Sequence, residues 1–404
     1  MSSIVGAAAQ KIPSKVLVVG SGVIGLRTAL EFCRQNVPVV VRAPVDPRQD
    51  SCSMGAGGYW MPSTCDDPRV DDWALETLDE LLDLAADSKE KQPDNLLVEV
   101  LHHVTLSRKN TAPPTEKMST NKYFDLDHFP KWTRHPKLEF QHMTVEMLSW
   151  QNNHFRLKIP PLEELKDAGY LYAWVFRTAI CNSPKLLEHY MKEISETHQM
   201  DLNVNTNKYY QSLTDMQGEA KDLGCDLIVN CTGMGAREIC KDKELIPARG
   251  TTLKFDRKSC QRRDSVQTNE SGMQNLHDAI IRTSEEPWGS ATHPAYLIPR
   301  GDTIVVGGTV LKGDEELTVR PEERERMMKS AACFGIDVES SPPTGEWVGL
   351  RPYRSLIECK FEERTSNLDE SIPIFHNYGH GGSGWTIQTG AARACVNAVL
   401  GKSG

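Results

Sequence analysis

The chain has 404 residues, more than one hydrophobic core usually supports, so two domains are the starting expectation. With 39% hydrophobic and 25% charged residues it reads as globular, and a net charge of −9 argues against nucleic acid or an anionic membrane as the main partner. Eleven cysteines with no CxxC pair and no short Cys/His repeat argue against a zinc module, so reduced buried thiols are expected and no metal.

Residues 1–14 are small and polar, with no secretory signal expected, and no later segment has the length of a membrane span. Residues 15–20 (KVLVVG) fit a strand buried on both faces. Leu26, Ala29, Leu30 and Cys33 then lie at helical spacing, and residues 37–41 read as the next strand, which completes a right-handed βαβ unit. Residues 51–62 are rich in glycine and small side chains and predict a loop with exposed backbone. A helix follows over 71–86, and residues 87–167 predict short antiparallel strands and loops of a second domain. Residues 183–197 predict a helix with Ser183 as N-cap and Pro184 in its first turn. Residues 225–231 form another buried strand; 251–255, 296–299 and 303–308 alternate as sheet strands; 373–378 and a helix over 385–400 complete the chain. The polar piece 257–275 reads as a long loop, and such loops are often lids.

Gly20, Gly22 and Gly25 form G-x-G-x-x-G between a strand and a helix. The first glycine permits the turn, the second lets backbone meet a pyrophosphate, and the third lets helix and strand pack closely. Arg42 stands where an acidic residue would meet the ribose, which leaves FAD and NADP both open at this point. Near the C-terminus, residues 376–386 (HNYGHGGSGWT) place four glycines ahead of a helix, a loop suited to bring bare backbone and a helix dipole against a flat ring.

This second segment resembles the signature of the D-amino-acid oxidase family, which includes D-aspartate oxidase. The resemblance extends through residues 57–62 (GGYWMP), 229–233 (VNCTG), 294–299 (PAYLIP) and 345–352 (GEWVGLRP). It implies an α/β plus α+β fold: a Rossmann-like FAD-binding domain (residues 1–58, 172–240 and 355–404) interleaved with a β-rich substrate-binding domain (59–171 and 241–354). FAD is the implied cofactor, and Arg351 and Tyr296 are the implied catalytic residues. Beyond Gly20, Gly22, Gly25 and Arg42, the implied cofactor residues in the first half are Val23, Ile24, Ala43, Ser53, Met54, Gly57, Gly58, Tyr59 and Trp60. In the second half they are Cys231, Thr232, Gly233, Arg351, Gly381, Gly382, Ser383, Gly384, Trp385 and Thr386.

Arginine suits a substrate carboxylate because its fork gives two parallel hydrogen bonds. Arg354 fits a structural role better. A second lid tyrosine found in many members is not evident; Thr292 or His293 occupies that stretch. Arg282 lies near where members acting on acidic substrates carry an extra arginine. His376 and His380 are expected to orient the glycine loop or touch the flavin, and His102 and His103 to be surface or packing residues.

The implied activity is hydride transfer from the Cα–H of a free D-amino acid to flavin N5. Imine hydrolysis then gives a 2-oxo acid and ammonia, and O2 is reduced to hydrogen peroxide. D-Aspartate oxidation, or oxidation of glycine or sarcosine, are the alternatives. Partners are then small molecules, with neither nucleic acid nor membrane, and a homodimer stays open. Peroxide production suits a peroxisome, although the ending Gly401-Lys402-Ser403-Gly404 carries no Ser-Lys-Leu address.

Overall fold

The computed structural model describes residues 12–49, 51–62, 65–91, 95–109, 129–155, 159–260, 279–363 and 371–402, with side chains described in all but 152–155. Most of the expected lid, 257–275, lies outside the described residues. Fourteen strands appear among the described residues. They are β1 (Val16–Val19), β2 (Val39–Arg42), β3 (Val98–Ser107), β4 (Gln141–Thr144), β5 (Tyr172–Cys181), β6 (Asp201–Asn203) and β7 (Leu227–Asn230). The second half adds β8 (Ile246–Asp256), β9 (Ala279–Thr283), β10 (Ala295–Arg300), β11 (Thr303–Gly307), β12 (Leu311–Lys312), β13 (Gly345–Phe361) and β14 (Ile374–His380).

All join one mixed sheet in the order β4-β5-β3-β9-β10-β11-β8-β13-β14-β7-β1-β2-β6, with β12 beside β8. The segment β6-β2-β1-β7-β14 is parallel throughout. Its strands β1, β2, β7 and β14 are buried along their whole length, as a parallel layer covered on both faces must be. Helices Val23–Arg34, Val70–Lys91 and Gly384–Leu400 contribute to the core cluster on one face. Leu213–Asp222, whose N-cap Ser212 makes a capping box with Asp215, sits on the other.

From β14 outward the sheet becomes antiparallel, except where β3 runs parallel to β9. A separate apolar cluster fills this half, around Leu253, Phe255, Leu297, Val306 and helix Pro321–Cys333. The seam is β13. It pairs with β8 through Tyr353 and with β14 from Tyr353 to Phe361, with a register shift between Tyr353 and Glu358.

Two expectations need correction here. Ser183 is not the cap of its helix: Asn182 occupies that place, and Ser183 is buried as the first helical residue with its Oγ 3.5 Å from the Ala56 carbonyl. Residues 145–155, expected as strand or loop, are helical, entered directly from β4.

Candidate active site

A cavity of about 640 Å3 lies between the C-terminal ends of the parallel strands and one face of the antiparallel sheet. Its floor is the first glycine turn. Gly20 has φ +111°, and a Cβ there would lie 2.3 Å from the Cys231 carbonyl oxygen. At Gly25 a Cβ would lie 2.0 Å from the Gly20 oxygen, so only glycine lets the helix pack this close to its strand. Gly22 meets nothing within 4 Å except Ser53 Oγ, and it caps Val23–Arg34 without a side-chain bond. With no acidic residue in its first turn, that helix directs its positive end at the cavity.

The second glycine loop meets the same space. Gly384–Leu400 also starts without a side-chain cap, and Gly381, Gly382 and Gly384 all line the cavity. His380 anchors the loop. Asn377 Nδ2 donates to Thr28 Oγ1, which turns Asn377 Oδ1 toward His380 Nε2, 3.1 Å away. Burial, with Arg69 acting the same way, lowers His380 to about 3, so the ring is neutral and donates from Nε2.

At the other end stands Arg351. In the β8–β13 pairing Gly349 faces Gly250, and the Arg351 guanidinium lies where a Cβ of Gly250 would be, 2.2–2.3 Å from it. Its Nη1 donates to the Thr309 carbonyl at 2.9 Å, and no carboxylate among the described residues pairs with it. Tyr296 belongs to a transverse row in which Trp347, Thr252, Gly307, Tyr296 and Arg282 are in register on five strands. Paired residues share a face, so this row forms one wall. The Tyr296 ring covers Gly307, whose Cβ would be 2.2 Å from the hydroxyl. Burial raises the pKa of that hydroxyl while the Arg351 cation opposes the rise; the net shift is upward and keeps the O–H as a donor. Arg282 Nη1 is 3.5 Å from Tyr59 Oη and 3.3 Å from Met61 Sδ, and it too has no carboxylate partner among the described residues.

Of the residues expected at the cofactor and substrate, all line the cavity except Arg42, Met54, Trp60 and Ser383. Arg42 is held by Asp201 on β6 at 2.9 and 2.6 Å, with Glu219 3.5 Å from its Nε, so it is a strand-to-strand tie. Trp60 follows Tyr59 in extended backbone, so the two point oppositely. Tyr59 faces the cavity, while Trp60 is buried against Trp132 and donates to the Ala74 carbonyl. Met54 packs on the core, and Ser383 is buried behind the glycines.

His376 is away from the cavity, bonded to Glu362 and Asn230. His103 packs, stacked on Phe176 with ring centres 4.6 Å apart. Neither Thr292 nor His293 reaches the wall; Pro294 does. Arg354 is structural as expected, bonded to Asp242 at 3.0 Å and Glu358 at 2.7 Å. Trp347 is a wall residue that sequence reasoning missed, although its spacing from Gly349 and Arg351 has the period of one strand face.

Two uncapped helix ends and the open backbone at Gly22 suit a dinucleotide diphosphate, and the glycine loop of β14 suits a flat ring. A parallel nucleotide-binding half, roofed by an antiparallel wall whose Arg351 and Arg282 have no carboxylate partner among the described residues, is the layout expected of a dinucleotide-dependent enzyme acting on an anion. The family model described as FAD dependent oxidoreductase matches residues 15–398, so the chain belongs to that family and its cofactor is FAD. It is similar to the D-amino-acid oxidase of Rubrobacter xylanophilus, 23% identical over 95% of this chain and 94% of that protein. It is also similar to the D-aspartate oxidase of Homo sapiens, 24% identical over 96% of this chain and 94% of that protein. Among solved structures, glycine oxidase from Bacillus cereus superposes with a TM-score of 0.68 at 15% identity, covering 98% of this chain and 96% of that one.

Proposed function

We propose that the chain oxidises free D-amino acids at the α-carbon, yielding 2-oxo acids, ammonia and hydrogen peroxide. The observation that carries this reading is the Arg351 guanidinium beside the Tyr296 hydroxyl, without a carboxylate partner among the described residues, in the cavity that also holds both glycine loops. FAD, when bound, supplies the two-electron acceptor for the Cα–H bond. Arg351 offers paired N–H donors to the substrate carboxylate, and neutral Tyr296 adds an O–H donor. Two fixed contacts on one carboxylate anchor the substrate at the end of the cavity and restrict where Cα can lie, and the preference for the D-stereoisomer then rests on how the walls receive the amine and the side chain. Orientation of this kind replaces a general base. Consistent with that, no Asp or Glu is among the described residues of the cavity wall, and the His380 on that wall is neutral and donates a hydrogen bond.

A second reading, D-aspartate oxidation, is favoured by Arg282. This cation sits one strand from Tyr296, in register with it, where a second carboxylate could reach. Anaerobic addition of D-alanine, L-alanine and D-aspartate to the FAD-loaded protein separates the readings. Bleaching of the flavin absorbance by D-alanine and not L-alanine is expected. Bleaching by D-aspartate alone would move the activity to the second reading, and bleaching by neither would refute both.

A further inference from the structure

The end of the cavity remote from Arg351 lies past β2, where the adenosine of a dinucleotide follows its pyrophosphate. A nucleotide-binding βαβ unit ordinarily places a carboxylate about 20 residues past its glycines to hold the ribose hydroxyls. Here that place belongs to Arg42, and its guanidinium is committed to Asp201 and Glu219. No carboxylate among the described residues lines the cavity to replace it. What lines this end instead is Ala43, Pro44 and Val45 on one side, and Lys208, Tyr209 and Tyr210 on the other.

The loop that carries Tyr209 is fastened on both sides. Thr206 N and Asn207 N donate to the carbonyls of Ala43 and Pro44, at 3.1 and 3.0 Å. Lys208 Nζ and the Tyr210 hydroxyl both bind Glu219 Oε2, at 2.5 and 2.8 Å. Its neighbours are thus turned toward Glu219, while Tyr209 lines the cavity mouth with 64% of its surface exposed. Among the described residues its hydroxyl makes no hydrogen bond and its ring no aromatic or cation contact. An aromatic ring carried by a fastened loop at a nucleotide cavity, without a partner among the described residues, has the chemistry of a base-stacking platform.

We propose that Tyr209 covers the adenine of the bound FAD, and that this stacking takes the place of the missing carboxylate-to-ribose hydrogen bonds. Binding at this end then depends on the base more than on the sugar. The test is the Kd of the apoprotein for FAD, read by flavin fluorescence quenching, with ADP as a competing fragment. Tyr209→Ala is expected to weaken FAD by about tenfold or more, the size of one base–aromatic contact. ADP should lose competing strength by the same factor, and Tyr209→Phe should stay within about twofold of the parent. Three results would overturn the inference. Tyr209→Ala could bind FAD as tightly as the parent; it could weaken FAD and leave ADP untouched; or Tyr209→Phe could lose as much as Tyr209→Ala. Because the residue is exposed, none of these variants threatens the fold.

Discussion

Arg249 and Arg351 stand on neighbouring strands one residue out of register, and the sheet turns them to opposite faces. Arg249 is fully buried beneath the sheet. It forms a two-pronged pair with Glu323 at 2.6 and 2.9 Å and donates to the Glu316 carbonyl. That clamp fastens helix Pro321–Cys333 to β8. Arg351, above the sheet, has the Thr309 carbonyl, the Tyr296 hydroxyl and a bed made by Gly250, and no carboxylate among the described residues. The same side chain is structural where the protein neutralises it and available to an anion where it does not. Arg42 and Arg282 repeat the contrast. A carboxylate at 2.6 Å closes the first, and the second is left with a phenol, a thioether and a hydroxyl.

The contrast can be broken most severely from the structural side. Glu323→Ala leaves the Arg249 charge buried without its partner and should destabilise the protein by about 3–5 kcal/mol in denaturant unfolding. A loss below about 1 kcal/mol would make the clamp equivalent to a surface pair. On the other face, Arg351→Ala should leave folding and the flavin spectrum intact. It should lower kcat/KM for D-alanine by roughly 100-fold, about 3 kcal/mol and mostly through KM. Unchanged kinetics would place Arg351 with Arg249 as a structural residue. Gly250→Ala sharpens the comparison most finely. Its methyl occupies the bed of the guanidinium and should cost about 1–3 kcal/mol. The loss should appear as weaker substrate binding, since the movable end of Arg351 can give way. A large fall in melting temperature with normal KM would show the strain to be carried by backbone instead.

Much of this was legible in the sequence where the determinants are local. Gly20, Gly22 and Gly25 lie within six residues of one another, and the β1 run before them has the apolar continuity of a covered parallel strand. The second glycine loop was legible for the same reason. Arg42 was not: its partner Asp201 is 159 residues away, and only the β2–β6 pairing brings them together. Trp60 was assigned to the cofactor by its block, yet strand alternation sends it opposite to Tyr59. The helix at Pro321–Cys333 escaped because its buried side is small, chiefly Met327, Ser330 and Ala331 beside the ion-paired Glu323. Tyr209 gave no signal, since its place depends on Glu219 holding both neighbours.

The single strand β13 has a mechanical consequence. Its first half is bonded into the antiparallel wall and its second half into the parallel layer, and Arg351 lies just before the crossover. The register shift after Tyr353 is the natural weak point, yet it is pinned. Arg69 donates to the Ile357 carbonyl, Asp67 accepts from the Ile357 N–H, and Arg354 is held by Asp242. A clamshell motion of one half against the other would have to tear these bonds together with the ladder itself. One continuous strand thus holds the two walls of the cavity at a set spacing, and Leu317, exposed among the lining residues, is left as a rim side chain able to change rotamer without disturbing either wall.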